Sequence, residues 1–181
     1  VVRNQYVKVE PLFLRSLALR EKTLGPDHPD VAESLNSLAS LYAMQTQFAK
    51  AEPLHRRSLE IRERVLGPDH PDVAASLNDL GELYEVQGQY TKAEPLYQRS
   101  LVIWEKALGP EDSRVATGLS ALAGVYQAQG QYAKAEPLFE RALAIREKVF
   151  GPEHAAVASS VNNLAGIYEA QGQYAKAEPL D

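Results

Sequence analysis

The sequence has no cysteine, and only one methionine and one tryptophan among 181 residues. Without a thiol there is no disulfide scaffold, no thiolate metal site and no cysteine nucleophile. Long apolar runs are missing as well. The longest spans a few residues, against the roughly 20 that a membrane-crossing helix needs. The opening VVRNQYVKVE lacks the basic start and apolar stretch of a secretory signal. Basic residues are in the minority, 19 against 24 acidic, for a formal net charge of −5. That balance argues against general nucleic-acid or anionic-membrane binding. What is present is ordinary globular usage, 45% hydrophobic and 24% charged. The expectation is a soluble, cytoplasmic protein that binds neither nucleic acid nor membrane.

The chain repeats itself. Gly-Pro falls at Gly25, Gly67, Gly109 and Gly151, each 42 residues after the last. Glu-Pro-Leu recurs in the same register at Glu10, Glu52, Glu94, Glu136 and Glu178, as do Tyr42, Tyr84, Tyr126 and Tyr168. Three unrelated markers hold one interval with no insertion, the signature of a repeat architecture.

Each unit reads as two helices. In residues 67–108 the first apolar set is Val73, Leu77, Leu80, Leu83 and Tyr84, one helical face. Gly88 in QGQY suits the left-handed backbone of a helix end. The second set is Ala93, Leu96, Tyr97, Ser100, Leu101, Ile103 and Leu108, a broad helical stripe closed by Gly109-Pro110. Pro29 and Pro71 suit the first helical position, with Asp30 and Asp72 in the first turn. In the third copy Asp112 or Ser113 can cap instead. Pro53, Pro95 and Pro137 fall inside the second helices, where each removes one backbone hydrogen bond and is expected to bend the helix. The spacing predicts helices near 6–23, 30–44, 48–65, 72–86, 90–107, 114–128, 132–149 and 156–170, with a stub from 174.

Leu77, Leu80, Gly81 and Tyr84, followed by Ala93, Tyr97 and Ser100, resemble the tetratricopeptide repeat. Ala39, Ala123 and Ala165 stand where Gly81 does, small enough for close helix contact. The long second helix, with EPL, IRE and LGPDHPDVA at fixed places, is similar to the kinesin light chain subtype across essentially all 181 residues. The resemblance implies an all-α fold: a right-handed superhelical solenoid of antiparallel helix pairs with a 42-residue period. It further implies that first helices line a concave groove and second helices face outward. A single array is expected over 1–181, with 1–24 the second helix of a partial repeat. Residues 25–66, 67–108 and 109–150 are then full repeats and 151–181 a truncated one.

Little in the chain points to reaction chemistry. His28, His70 and His154 recur one repeat apart, on the order of 10 Å, too far for shared ligation at about 2 Å. They read as helix-start residues beside proline, or beside alanine in the last copy. His55 takes the place held by Phe13, Tyr97 and Phe139, and reads as a partly buried packing residue. No phosphate loop, HExxH motif or separable Ser-His-Asp set occurs. No enzyme activity, no cofactor and no metal are expected.

Charge location says more. Second-helix segments are net positive, whereas first-helix segments with their loops are negative, from −5 over 67–89 to −1 over 109–131. Arg114 is the one base in those segments. Helical spacing places Asn36, Ser40, Asn78, Glu82, Glu85, Ser120, Gln127, Asn162 and Glu169 on one face, with Asn163 beside it. An asparagine amide both donates and accepts toward a peptide backbone. Asn36, Asn78 and Asn162 resemble the family's positions that hold peptide main chain, and Asn163 matches a neighbouring one. A solvated inner surface is the plainer explanation of the same residues. Trp104, whose equivalents are Arg20, Arg62 and Arg146, reads as lying on a solvent-facing or loop-covered strip of the second helix, an ordinary surface aromatic or else a convex anchor for a partner.

The leading expectation is a non-enzymatic protein–protein interaction scaffold. Its groove would receive a peptide or protein segment, neutral or basic ligands favoured. Two alternatives stand beside it. One is a self-stacking assembly module with end-to-end contact, since the chain opens in one second helix and stops early in another. The other is a regulatory array of a larger protein with a fused catalytic domain.

Overall fold

Glycine and proline set where the helices stop, and the observed boundaries follow them. The computed structural model describes the backbone of residues 2–177 and the side chains of 9–175. Among the described residues all regular structure is helical. Two compact units emerge, Val1–Gly88 and Gln89–Asp181.

The first unit holds α1 (Val2–Leu24), α2 (Pro29–Met44), α3 (Phe48–Leu66) and α4 (Pro71–Glu85). Its core is Val31, Leu35, Leu38 and Ala39 of α2 against Ala51 and Ile61 of α3, with Val73, Leu77 and Leu80 of α4. Ala39 and Ala51 are wholly buried, so the α2–α3 pair approaches closely. Ser58 Oγ donates to Ala32 O at 2.7 Å across that pair.

The second unit holds α5 (Tyr90–Leu108), α6 (Ser113–Ala128), α7 (Tyr132–Phe150), α8 (Ala155–Ala170) and α9 (Tyr174–Ala177). Val115, Leu119 and Ala123 of α6 meet Ala135, Phe139 and Ala142 of α7 in the same arrangement. Boundaries lie within two residues of those the spacing predicts, except that α1 starts at Val2 rather than 6. The last Glu-Pro-Leu copy, from Glu178, lies outside the described residues.

Local chemistry explains the ends. Gly67, Gly109 and Gly151 close their helices at φ 83 to 90° and ψ 155 to 158°, a region almost confined to glycine. Downstream the helix restarts on an imidazole cap: His28 Nδ1 accepts from Asp30 N at 3.1 Å, and His70 and His154 do the same for Asp72 N and Ala156 N. Asp112 caps the third copy through Arg114 N at 2.9 Å. The three histidines are therefore occupied in satisfying free helix-start amides.

The two sequence markers also prove to be partners. Tyr42, Tyr84 and Tyr126 donate their hydroxyls to Glu10, Glu52 and Glu94 at 2.8–3.1 Å, bracing each first helix against the preceding second helix. Tyr168 uses Glu140 instead, at 3.0 Å, while Glu136 accepts from Gln171. Burial and the adjacent carboxylate push the Tyr168 phenol up to about 12.

Candidate binding surface of the first helices

In the first unit α2 and α4 flank an open cavity of about 500 Å³. Ala43, Met44, Leu83 and Val86 make an apolar wall, and Ser40, His55, Asp79 and Glu82 supply the polar groups. Ser40 and Glu82, which helical spacing puts on one face, both line it. His55 and Asp79 were not among the expected site residues.

His55 departs from the expectation of a partly buried packing residue: it is 3% exposed and forms a polar chain. His55 Nδ1 lies 2.6 Å from Asn36 Oδ1, and Asn36 Nδ2 donates to Asp79 Oδ2 at 2.7 Å. The direction of the chain follows from its end. The carboxylate accepts from the amide nitrogen, so Asn36 presents its oxygen to the ring, and His55 must carry its proton on Nδ1. Burial holds the imidazole down at about 4, hence neutral at ordinary pH. Burial raises Asp79, against the lowering effects of the Asn36 hydrogen bond and the Arg62 charge. Glu82 is raised by burial first and then by Asp79 and Glu85.

Asn36 is thus a correction to the sequence reading. Both ends of its amide are engaged inside the protein, because His55 arrives from α3 and Asp79 from α4. Asn78 differs: its Oδ1 is buried with no hydrogen-bond partner among the described residues, a state that costs about 1–3 kcal/mol. Glu85 is half-buried and lies close enough to Glu82 to raise it.

The second unit has a different cavity, about 390 Å³, between α6 and α8. Ser113, Thr117, Ser120, Ser159 and Asn163 line it together with Arg146 of α7. Here too the structure differs from the outward-facing second helix that the resemblance implies. Arg146 comes through from the second helix and donates to Ser120 Oγ at 2.9 Å, to Ser160 Oγ and to Ala116 O. Burial among these neutral acceptors lowers its pKa. Asn162 and Glu169 are exposed on α8, and Gln127 is half-buried on α6.

Trp104 is the clearest reversal. It is 4% exposed and packs on α6, where a Cβ added at Gly118 would sit 3.3 Å from its ring. Its equivalents reach the matching place as hydrogen-bond donors: Arg20 to Ser34 Oγ at 2.9 Å and Arg62 to Ser76 Oγ at 2.7 Å. The signal was present 14 residues downstream, where the column Ser34, Ser76, Gly118, Ser160 changes in the same copy.

Among the described residues no group of three or more His, Asp or Glu could hold a metal ion, and no helix is long and apolar enough to cross a membrane.

A family model for the tetratricopeptide repeat matches residues 4–64, 36–106, 80–147 and 114–180. A comparison with curated proteins finds no match. Among solved structures, BtubC (BKLC) from P. vanneervenii is similar at TM-score 0.86 and 26% identity, over 98% of this chain and 71% of that one. A Podosopora anserina putative kinesin light chain with nearly identical TPR-like repeats is 31% identical at TM-score 0.80, over 98% of this chain and 84% of that one. The apo form of RapI, 17% identical at TM-score 0.79 over 98% of this chain and 47% of its own, shares the fold alone. A helix pair renewed every 42 residues, its tyrosine brace and a family match along the repeats agree: this chain belongs to the tetratricopeptide repeat family and is similar to its kinesin-light-chain-like members.

Proposed function

We propose that the first helices of each unit receive an extended peptide or protein segment. Tetratricopeptide repeats are protein-interaction scaffolds, typically non-catalytic. The observation that carries the finer reading is the pairing of open cavities with first helices. α2 and α4 flank one and α6 and α8 the other, while the apolar faces behind them are packed. Asn78, half-buried, and the exposed Asn162 and Asn163 are the groups suited to a ligand backbone. The carboxylates of α4 favour a neutral or basic segment there.

A random 12-residue phage library panned on the 181-residue chain tests this. Asn78→Leu and Asn162→Leu should each weaken a selected peptide by roughly tenfold in calorimetry, the scale of a lost hydrogen-bonding partner. Selected peptides indifferent to both substitutions would place binding elsewhere.

A further inference from the structure

Four positions depart from the repeat pattern in the same place. Where other copies carry Phe13, Tyr97 and Phe139, this one has His55. Asp79 replaces Ser37, Ala121 and Asn163, and Glu82 replaces Ser40, Gly124 and Gly166. Thr46 stands in for Gly88, Gly130 and Gly172 and is the one non-glycine residue at positive φ among those described, at 59°. All four line the first unit's cavity. Packing alone does not call for such a set. A buried imidazole and a half-buried carboxylate each cost stability relative to the aromatic and the small residues they displace.

His55, Asp79 and Glu82 share one property: toward the cavity they accept and do not donate, whereas the Ser40 hydroxyl can do either. Asp79 directs the Asn36 amide, and Asn36 directs the His55 proton to Nδ1, so the second ring nitrogen, Nε2, is a bare lone pair. Among the described residues Nε2 has no hydrogen-bond partner, on a side chain 97% removed from solvent that lines the cavity. The Glu82 carboxylate likewise makes no hydrogen bond or ion pair among them. Its neighbours on α4 are Asp79 and Glu85. The charge facing them from α3 is Arg62, already engaged with Asp72 O and Ser76 Oγ. α2 contributes Ser40 and an apolar wall without charge.

We propose that this cavity is a receptor for one cationic side chain, a lysine or arginine of the bound segment. The apolar wall of Ala43, Met44, Leu83 and Val86 takes the methylene stem, and Glu82, Asp79 and His55 Nε2 accept from the charged head. The proposal rests on the peptide-binding reading and adds to it the identity of one anchoring residue. An anion is rejected by the two carboxylates, and an apolar side chain leaves the acceptors without partners. Acidification acts twice against the cation. It protonates the raised carboxylates, and near pH 4 it charges the imidazole.

The test is an amide-resolved NMR titration of the 181-residue chain with four capped amino acids: N-acetyl-N′-methylamides of lysine, arginine, norleucine and glutamate. Lysine and arginine should saturably shift the amides of Ser40, Thr46 and Glu82, with norleucine and glutamate at least about tenfold weaker. Glu82→Gln, which keeps the shape of a side chain bonded to nothing else among the described residues, should weaken the lysine probe about fivefold or more, and so should Asp79→Asn. Equal binding of norleucine, or indifference to Glu82→Gln, overturns the proposal. The two readings can fail separately. Library peptides that shift these first helices without carrying a basic residue would sink the cation pocket and leave peptide binding standing. Capped lysine entering the cavity while no library peptide binds would do the reverse.

Discussion

The first unit and the second are built on one 42-residue frame, and they diverge at three matched places. Where α3 meets α4, Arg62 hydrogen-bonds Ser76; where α5 meets α6, Trp104 lies on Gly118. The cavity beside α2 and α4 is lined by carboxylates and a neutral histidine, the one beside α6 and α8 by hydroxyls and Arg146. The turn after α2 holds Thr46 at positive φ where the turn after α6 holds Gly130. The lesson is that a repeat conserves its backbone through glycine, proline and small buried residues. At one junction an apolar pair, Trp104 on Gly118, takes the place of the arginine–serine pair, both partners having changed together.

The junction swap offers the largest effect. Trp104→Arg should destabilise by about 3–5 kcal/mol, the range for losing a buried large aromatic. Adding Gly118→Ser rebuilds the Arg62–Ser76 arrangement in the second unit, and urea melts should show about 1–2 kcal/mol recovered as coupling. Strict additivity of the two would show that the positions do not act as a pair.

Next comes the buried imidazole. Between pH 6.5 and about 4 the unfolded chain binds the His55 proton and the folded chain does not. Stability therefore falls as pH drops through that window, by on the order of 3 kcal/mol. The raised carboxylates Asp79 and Glu82 act in the opposite sense, gaining stability on acidification, and reduce the net loss. His55→Phe, the residue of two other copies, should remove the histidine's share. The check is the change in urea midpoint between pH 7 and pH 4.5, in parent and variant. Parallel pH slopes would contradict a neutral, buried His55.

A smaller contrast lies in the same contact column. Gly118→Ala sets a methyl 3.3 Å from the Trp104 ring, and this crowding should cancel the roughly 1 kcal/mol that alanine gains over glycine inside a helix. Ser76→Ala removes one acceptor from a half-buried guanidinium and should cost about 1 kcal/mol. Equal thermal shifts in the two units would erase the distinction.

The smallest effect carries the opposite sign. Thr46→Gly relieves a left-handed β-branched residue but adds unfolded-state freedom, for a net gain of about 0.5–1 kcal/mol. Gly130→Thr should lose stability by a similar or larger amount in the matching turn. A Thr46→Gly variant with a lowered melting temperature would show that Thr46 is held there by contacts stronger than the strain.

Much of the fold was legible beforehand because its signals are local. Proline at the first helical position, glycine beyond the last and apolar residues at helical spacing act within a few residues of chain. They placed nearly every helix end within two residues. The site was less legible for the converse reason. Ser40 and Glu82 lie on a helix face that spacing alone can identify. Asn36 could be assigned to that face but not to its partners, since His55 is 19 residues away and Asp79 is 43. Trp104 was misplaced because its own column is arginine in the other copies, and arginine ordinarily keeps its head in water.

Period and helix pairing were thus written into the order of residues, since each depends on neighbours along the chain or on a strict interval. Which polar groups are consumed inside and which are left to meet a ligand was settled only by packing. The distance between α2, α3 and α4 in space decides whether an amide finds an imidazole, a carboxylate or nothing. No linear spacing encodes that distance.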